Sequence, residues 1–522
     1  MMKSFTVELQ DTPIYERQLL PNDPETSSFN EQHPSTSQFD CFLPIVFVLN
    51  ASLPAINSLT TASYRSGPSC YSQTHNSHHL KMEENVDMIS NRNIDDDNRQ
   101  TTNNNEEKIL SSGNIWELPV SETARNTVNP IRQICDSFFA RKSRKSLLKL
   151  NLGDPTASGA LPACPVAIQA INEALISRKY EGYGPAIGLL EAREAIARHF
   201  THSEAPVTAD SVLLTNGCSH AIEMAIESLA NPGDNILVPA PGFSLYLTFI
   251  KSSNIESRYY YFDILNGSQL DLVQLESLID SRTRAIIINN PSNPTGIVIS
   301  KNQLESILQI AYKKRIPIIA DEVYGTMTYN GAEFYPIATL KPKVPILTCD
   351  GIAKRYLLPG WRLGWIIIHD RYAAFQHIRD GLIALAQKLI GPCVLIQGAL
   401  PRILQSTNAS FFQQVNSSIQ RNASIIYESL RKVPGLQPLM PNGAMYMMVG
   451  IDEEKYGTDE VFVHDLLIEE NVICLPGCIF HCSGWFRVVL TYSEHDTREA
   501  CARIVQFCLR RYSHSLNHEI IT

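Results

Sequence analysis

Between about residues 112 and 512, short apolar runs alternate with stretches of helical period. "SVLLT" (211–215), "NILVP" (235–239), "RAIIIN" (284–289), "IPIIA" (316–320) and "VPILT" (344–348) have the length and continuous apolar character of strands buried on both faces. "CSHAIEMAIESLA" (218–230) and "KNQLESILQIAYKK" (301–314) carry amphipathic helical patterns between them. This order predicts the α/β class, with a mostly parallel sheet covered on both sides. "GWIIIH" (364–369) follows "VPILT" across a short connection containing Pro359 and Gly360. That is too tight for a helical crossover, so this pair is predicted to be antiparallel. After Asp370 come long helical stretches and then "GAMYMMVG" (443–450) and "FRVVLTY" (486–492), the strands of a smaller α+β domain.

Composition sets the outer boundary. The first 112 residues are rich in Ser, Thr and Asn and end in "NRNIDDDNRQTTNNNEEK" (91–108), too polar to offset the entropy of ordering. The chain therefore divides into a disordered low-complexity extension (1–112), an N-terminal arm with part of the small domain (113–165), a large domain (166–400) and the remaining small domain (401–517). One apolar run, Cys41 to Ile56, is shorter than a membrane span needs and is broken by Pro44, Asn50 and Pro54. No membrane partner is expected. A net charge of -9 argues against non-specific binding to nucleic acid. The 12 cysteines are scattered, without the spacing of a disulfide scaffold or a zinc site, so no metal and a reducing, cytoplasmic location are expected.

In α/β sheets ligands bind beyond the carboxyl ends of the strands. After "SVLLT" stands "NGCSHA", in which Gly217, Cys218 and Ser219 offer backbone amides at a helix start, a phosphate cradle. After "RAIIIN" comes Asn293, after "IPIIA" come Asp321 and Tyr324, and after "VPILT" come Lys354 and Arg362. An amine nucleophile, a carboxylate, a phenol, an amide and a guanidinium beside a phosphate cradle together suit pyridoxal 5'-phosphate. Lys354 would join its aldehyde. Asp321 would keep the pyridine nitrogen protonated. Asn293 and Tyr324 would bond the ring oxygen, and Arg362 with the three amides would hold the phosphate.

The body from about Trp116 to Tyr512 resembles the class I aminotransferases of fold type I, and within them the tyrosine-using branch. The family's lysine signature has small residues at -3 and -1 and Arg-apolar-Gly from +8, matched here by Gly351, Ala353, Lys354, Arg362, Leu363 and Gly364. Further matching blocks are "NLGDPTASGALP", "GYGPAIG", "NPGDNILVPAPGFSLY", "NNPSNPTG", "ADEVYG", "GPCVLIQGAL" and "PNGAMYMMVG". The resemblance implies a shared-site homodimer and several further roles. Arg487 is expected to clamp the substrate α-carboxylate, and Gly153 to contact it. Phe243 is expected to stack on the pyridine ring, where many relatives carry Trp. Tyr183 is expected to reach the phosphate of the neighbouring subunit's cofactor. Lys388 lies near the position at which dicarboxylate-specific relatives present an arginine from the partner.

The activity so implied is transfer of an amino group from an aromatic amino acid, tyrosine first, to 2-oxoglutarate. A lyase using the same lysine, aspartate and arginine is the first rival, and a non-catalytic regulator built on the same body is the second.

Overall fold

The computed structural model describes residues 118–137 and 144–519. The predicted extension and the Cys41–Ile56 run lie outside them.

Among the described residues the main sheet has eight strands. In chain order they are β1 (Val212–Thr215), β2 (Asn235–Ala240), β3 (Glu256–Asp263), β4 (Gln269–Leu270), β5 (Thr283–Asn289), β6 (Ile318–Asp321), β7 (Ile346–Gly351) and β8 (Gly364–His369). Their spatial order is β1-β8-β7-β6-β5-β2-β3-β4. The run from β7 through β6, β5 and β2 to β3 is parallel. β8 runs against both β1 and β7, as the short connection requires, and the edge strand β4 runs against β3. β1, β2 and β6 are buried along their whole length. β3 was not predicted: "ESRYYYFD" is largely polar and aromatic, and its residues are unevenly exposed near the sheet edge.

Two helices carry site residues or shape the site. α1 (Cys218–Leu229) follows β1 directly, and α2 (Leu245–Ser252) follows β2. The helix Lys301–Lys314 is closed by a reciprocal capping box between Ser300 and Gln303.

A second sheet of four strands contains β9 (Leu436–Pro438), β10 (Tyr446–Ile451), β11 (Leu475–Pro476) and β12 (Trp485–Val489), in the order β9-β10-β12-β11, all antiparallel. The turn after β5 holds the two sheets in register. The Gly296 carbonyl accepts from the amides of Asn442 and Gly443 at 2.9 and 2.8 Å, and Asn442 Oδ1 accepts from the Val298 amide at 2.7 Å. A side chain at Gly296 would meet Pro441 and the Tyr446 carbonyl at 2.5 Å. The loop from β5 and the loop entering β10 are therefore tied together.

Among the described residues, no helix is long and apolar enough to cross a membrane, and no group of His, Cys, Asp or Glu is arranged to hold a metal ion.

Candidate active site

Strand register assembles the centre. Asn289 on β5 lies opposite Asp321 on β6, which lies opposite Cys349 on β7, so β5 and β6 end in line while β7 runs two residues further. From that line Asn289 Oδ1 accepts the Asn293 amide at 2.7 Å, fixing the turn that presents Asn293. Asp321 is almost wholly buried. Its carboxylate accepts from the Tyr246 hydroxyl at 2.6 Å, the Val323 amide at 3.3 Å and the Cys218 thiol at 3.6 Å. All three donors are neutral, and burial outweighs them, raising the carboxyl from 3.8 to about 6.

The antiparallel β8 gives the lysine signature its glycines. Gly364 pairs with Thr215 on one side and Gly351 on the other, directly beneath the start of α1. A Cβ at Gly364 would stand 2.5 Å from the Cys218 amide nitrogen. Lys354 lies on the single helical turn Ile352–Arg355 that follows β7, and its ammonium donates to the Gly153 carbonyl.

Arg362 adopts a left-handed backbone at φ 51°. It donates to the carbonyls of Pro359 and Asn216, each at 3.1 Å. Its guanidinium covers Gly217, whose own φ is +82° and where a Cβ would come within 2.5 Å of Nη2. Gly217 departs from its expected role. Its amide donates to the Thr215 carbonyl at 2.8 Å, so the amides at the start of α1 that lack an intrahelical acceptor are those of Cys218 and Ser219. Gly217 provides clearance for Arg362 instead of a donor.

The substrate side comes from the second sheet. Arg487 on β12 is 1% exposed. It donates to Asn293 Oδ1 at 2.8 Å and to the Asn151 carbonyl at 2.6 Å. Its guanidinium lies between two rings, 4.3 Å from the centre of Tyr446 and 4.7 Å from that of Phe480. Its Nε has no hydrogen-bond partner among the described residues.

These groups line one cavity of about 270 Å³, together with Phe243, Gly153, Ser219, Ala353 and Tyr446. Phe243 packs edge-on against Tyr246, with ring centres 5.6 Å apart. The Tyr324 and Tyr446 hydroxyls share a hydrogen bond of 2.8 Å, and burial raises the Tyr324 phenol well above its usual value.

Two expected residues stand apart. Tyr183 is 93% exposed. Lys388 does not line its own chain's cavity; its side chain, 62% exposed, pairs with Glu227 at 2.8 Å.

Several contributors were not singled out from sequence. Tyr246 stands three residues after Phe243, one helical turn on, which is the signal that would have found it. Tyr446 touches both the Tyr324 hydroxyl and the Arg487 guanidinium. It also leaves no room at Gly153, where a Cβ would lie 2.2 Å from its hydroxyl. Asn129, Ile131 and Arg132 bring the N-terminal helix Pro130–Ser137 to the cavity wall.

Such a set, on a parallel sheet with an antiparallel partner for the lysine strand, defines a pyridoxal-phosphate-dependent aminotransferase of fold type I. The sequence profile for aminotransferase class I and II matches residues 145–504, and the chain belongs to that family. It is 48% identical to the tyrosine aminotransferase of Caenorhabditis elegans, over 77% of this chain and 87% of that protein. It is 47% identical to the tyrosine aminotransferase of Homo sapiens, over 76% of this chain and 88% of the other. Among solved structures, tyrosine aminotransferase from Leishmania infantum superposes with a TM-score of 0.73 at 32% identity, covering 76% of this chain and 99% of that one.

The residues present fit the cofactor on their own geometry. A buried carboxylate held by three neutral donors suits a protonated pyridine nitrogen. A guanidinium beside free helix-start amides suits a phosphate, and the one amine on the cavity wall suits an aldehyde.

Proposed function

We propose that the chain transfers the amino group of an aromatic L-amino acid, tyrosine first, to 2-oxoglutarate, giving 4-hydroxyphenylpyruvate and L-glutamate. This is the entry step of tyrosine and phenylalanine breakdown. The observation that carries the reading is Arg487, a fully buried guanidinium whose Nε has no partner among the described residues, fixed between aromatic rings on the wall that Lys354 shares. A cation already stripped of water binds an α-carboxylate more strongly than one that must first be desolvated.

When bound, pyridoxal 5'-phosphate supplies an electron-accepting ring conjugated to the carbon that takes the amino group. The chain does the rest. Arg487 would orient the amino acid by its carboxylate, Asp321 would hold a proton on the ring nitrogen, and Asn293 and Tyr324 would bond the ring oxygen. Lys354, the amine on the cavity wall, would take the proton from the substrate's Cα as general base and give it back as general acid.

The distal carboxylate of 2-oxoglutarate enters the space a phenol ring also uses, because the same α-carboxylate clamp fixes both substrates, and it needs a cation there. Arg132 lines that cavity and Lys388 does not, so Arg132 is the better candidate within one chain. The almost complete exposure of Tyr183 supports a homodimer in which this phenol serves the neighbouring subunit's cofactor. The ten free cysteines among the described residues support a cytoplasmic setting.

The test is product formation by the purified holoenzyme. 4-Hydroxyphenylpyruvate should form from tyrosine only when 2-oxoglutarate is present, with one glutamate for each. Keto product formed without an acceptor would instead identify a lyase.

A further inference from the structure

We propose that Tyr446 is a positioning residue of the active site: its hydroxyl donates to the Tyr324 hydroxyl, which frees the Tyr324 proton for the cofactor's ring oxygen, while its ring seats the Arg487 guanidinium. The inference rests on the function proposed above and gives one residue of the second sheet a part in holding both cofactor and substrate.

Strand register brings the residue there. Tyr446 opens β10 opposite Val489, and Arg487 on β12 lies opposite Met448. Residues paired across an antiparallel ladder share a face, as do those two apart along a strand, so Tyr446 and Arg487 are diagonal neighbours on one face. The guanidinium rests 4.3 Å from the Tyr446 ring centre. Tyr446 and Arg487 are 2% and 1% exposed, so this cation–π contact is made out of water, where it is strongest. Tyr324 arrives from the main sheet, three residues beyond Asp321 at the end of β6. It meets Tyr446 edge-on, with ring centres 5.7 Å apart.

The chemistry of the two hydroxyls decides which one donates. They are 2.8 Å apart, and neither has another hydrogen-bond partner among the described residues. Each phenol has one proton to give, so one donates to its neighbour and the other keeps its proton for something else. Gly153 closes one flank of the Tyr446 hydroxyl, since not even a methyl group fits between them. Tyr324 lines the cavity beside Asn293, Asp321 and Lys354. A ring oxygen that carries negative charge can only accept. Tyr324 serves it only as a donor, which requires Tyr446 to give its proton to Tyr324. In that order the two bonds run in one direction and polarise each other, so the outer phenol strengthens the inner one.

The consequence is electrostatic and can be read from the cofactor. A donor at the ring oxygen draws off charge that would otherwise hold a proton on the nearby lysine nitrogen. Losing a donor therefore moves the pH midpoint of the lysine-bound cofactor's visible absorbance upwards. Tyr446 acts on that midpoint only through Tyr324, which separates it from Asn293, whose own amide would reach the ring oxygen.

The experiment is a spectrophotometric pH titration of the full-length holoenzyme without substrate, for wild type, Tyr446→Phe, Tyr324→Phe and the double variant. Tyr324→Phe should raise the midpoint by about one to two pH units, the worth of a hydrogen bond to a charged group. Tyr446→Phe should raise it by about a third of a unit, the part that polarisation adds. The double variant should match Tyr324→Phe alone. A second measurement separates the ring from the hydroxyl. Half-saturation by tyrosine should shift less than about twofold in Tyr446→Phe, which keeps the ring, and rise about tenfold in Tyr446→Leu, which removes it. A midpoint unmoved in Tyr446→Phe while Tyr324→Phe shifts it, or additive shifts in the double variant, would overturn the proposal and leave the cofactor site intact. Equal half-saturation in the Phe and Leu variants would overturn the seating of Arg487. An unmoved midpoint in Tyr324→Phe would overturn the ring-oxygen role of Tyr324 and the proposal with it. Failure of the tyrosine reaction itself is seen separately, in product formation by the wild type.

Discussion

Arg362 and Arg487 face the same cavity from different sheets and are held in opposite ways. Arg362 belongs to the main sheet, is exposed, and rests on two carbonyls beside the start of α1. Arg487 belongs to the second sheet, is sealed from water, and is gripped by two rings and two oxygens. An exposed cation suits a resident phosphate that also draws on helix amides, because no single contact must carry the affinity. A buried one suits a substrate that comes and goes, because the desolvation cost is already met in folding and the carboxylate finds a pre-formed fork. Burial lowers the Arg487 guanidinium from its ordinary value, the signature of that cost. On the function proposed above, the main sheet keeps the cofactor and the second sheet selects what reaches it.

The largest effect that bears on this division comes from Lys354, the residue both halves serve. Lys354→Ala should abolish turnover and remove the visible absorbance of the lysine-bound cofactor, while Arg362 and the α1 amides still retain cofactor phosphate. Near-normal activity in that variant would end the account.

Asp321→Asn comes next, with a loss of about a hundredfold or more in kcat, since an anion paired with the ring nitrogen is worth several kcal/mol in the transition state. It also makes a prediction about the cofactor-free protein. The folded carboxyl lies at about 6 against 3.8, so it prefers to be protonated when folded. Its contribution to stability is therefore best at low pH and declines as pH rises from about 4 to about 6, by at most about 3 kcal/mol. Apo Asp321→Asn should melt above apo wild type at pH near 7.5, with the gap closing towards pH 4. Equal melting curves at both pH values would mean the carboxylate is adequately solvated where it stands.

A smaller effect sharpens the substrate side. Arg132→Ala should weaken the 2-oxoglutarate half-reaction in single-turnover kinetics by about 1–3 kcal/mol and leave the tyrosine half nearly unchanged. Lys388→Ala should change neither if one chain supplies the distal cation. A selective effect at Lys388 would instead transfer the task to the partner subunit.

Much of this was legible beforehand, for identifiable reasons. The strands β1, β2 and β6 are buried throughout and read as apolar runs, and Asp321 closes β6 while Asn293 stands in the turn after β5, so strand ends could be read as a site. The antiparallel β8 followed from the length of one loop. β3, next to the edge, has no such signature, because only one of its eight residues is fully buried. Tyr446 was hidden for a different reason. β10 is buried almost throughout, so nothing in its pattern separates a residue that packs from one that touches two site groups. The amide of Gly217 was misjudged because composition cannot reveal a bond to Thr215 two residues back.

The division between the two sheets is tested most directly by a crossed measurement on Arg362→Gln and Arg487→Gln. For each variant, cofactor Kd is measured on the apoenzyme and tyrosine half-saturation on the fully loaded enzyme. Arg362→Gln should raise cofactor Kd about tenfold and leave tyrosine half-saturation within about twofold. Arg487→Gln should do the reverse, raising tyrosine half-saturation about a hundredfold as a buried charge-assisted pair is lost, with cofactor Kd nearly unchanged. If either substitution moved both constants together, the two arginines would be parts of one binding surface, and the division would be wrong.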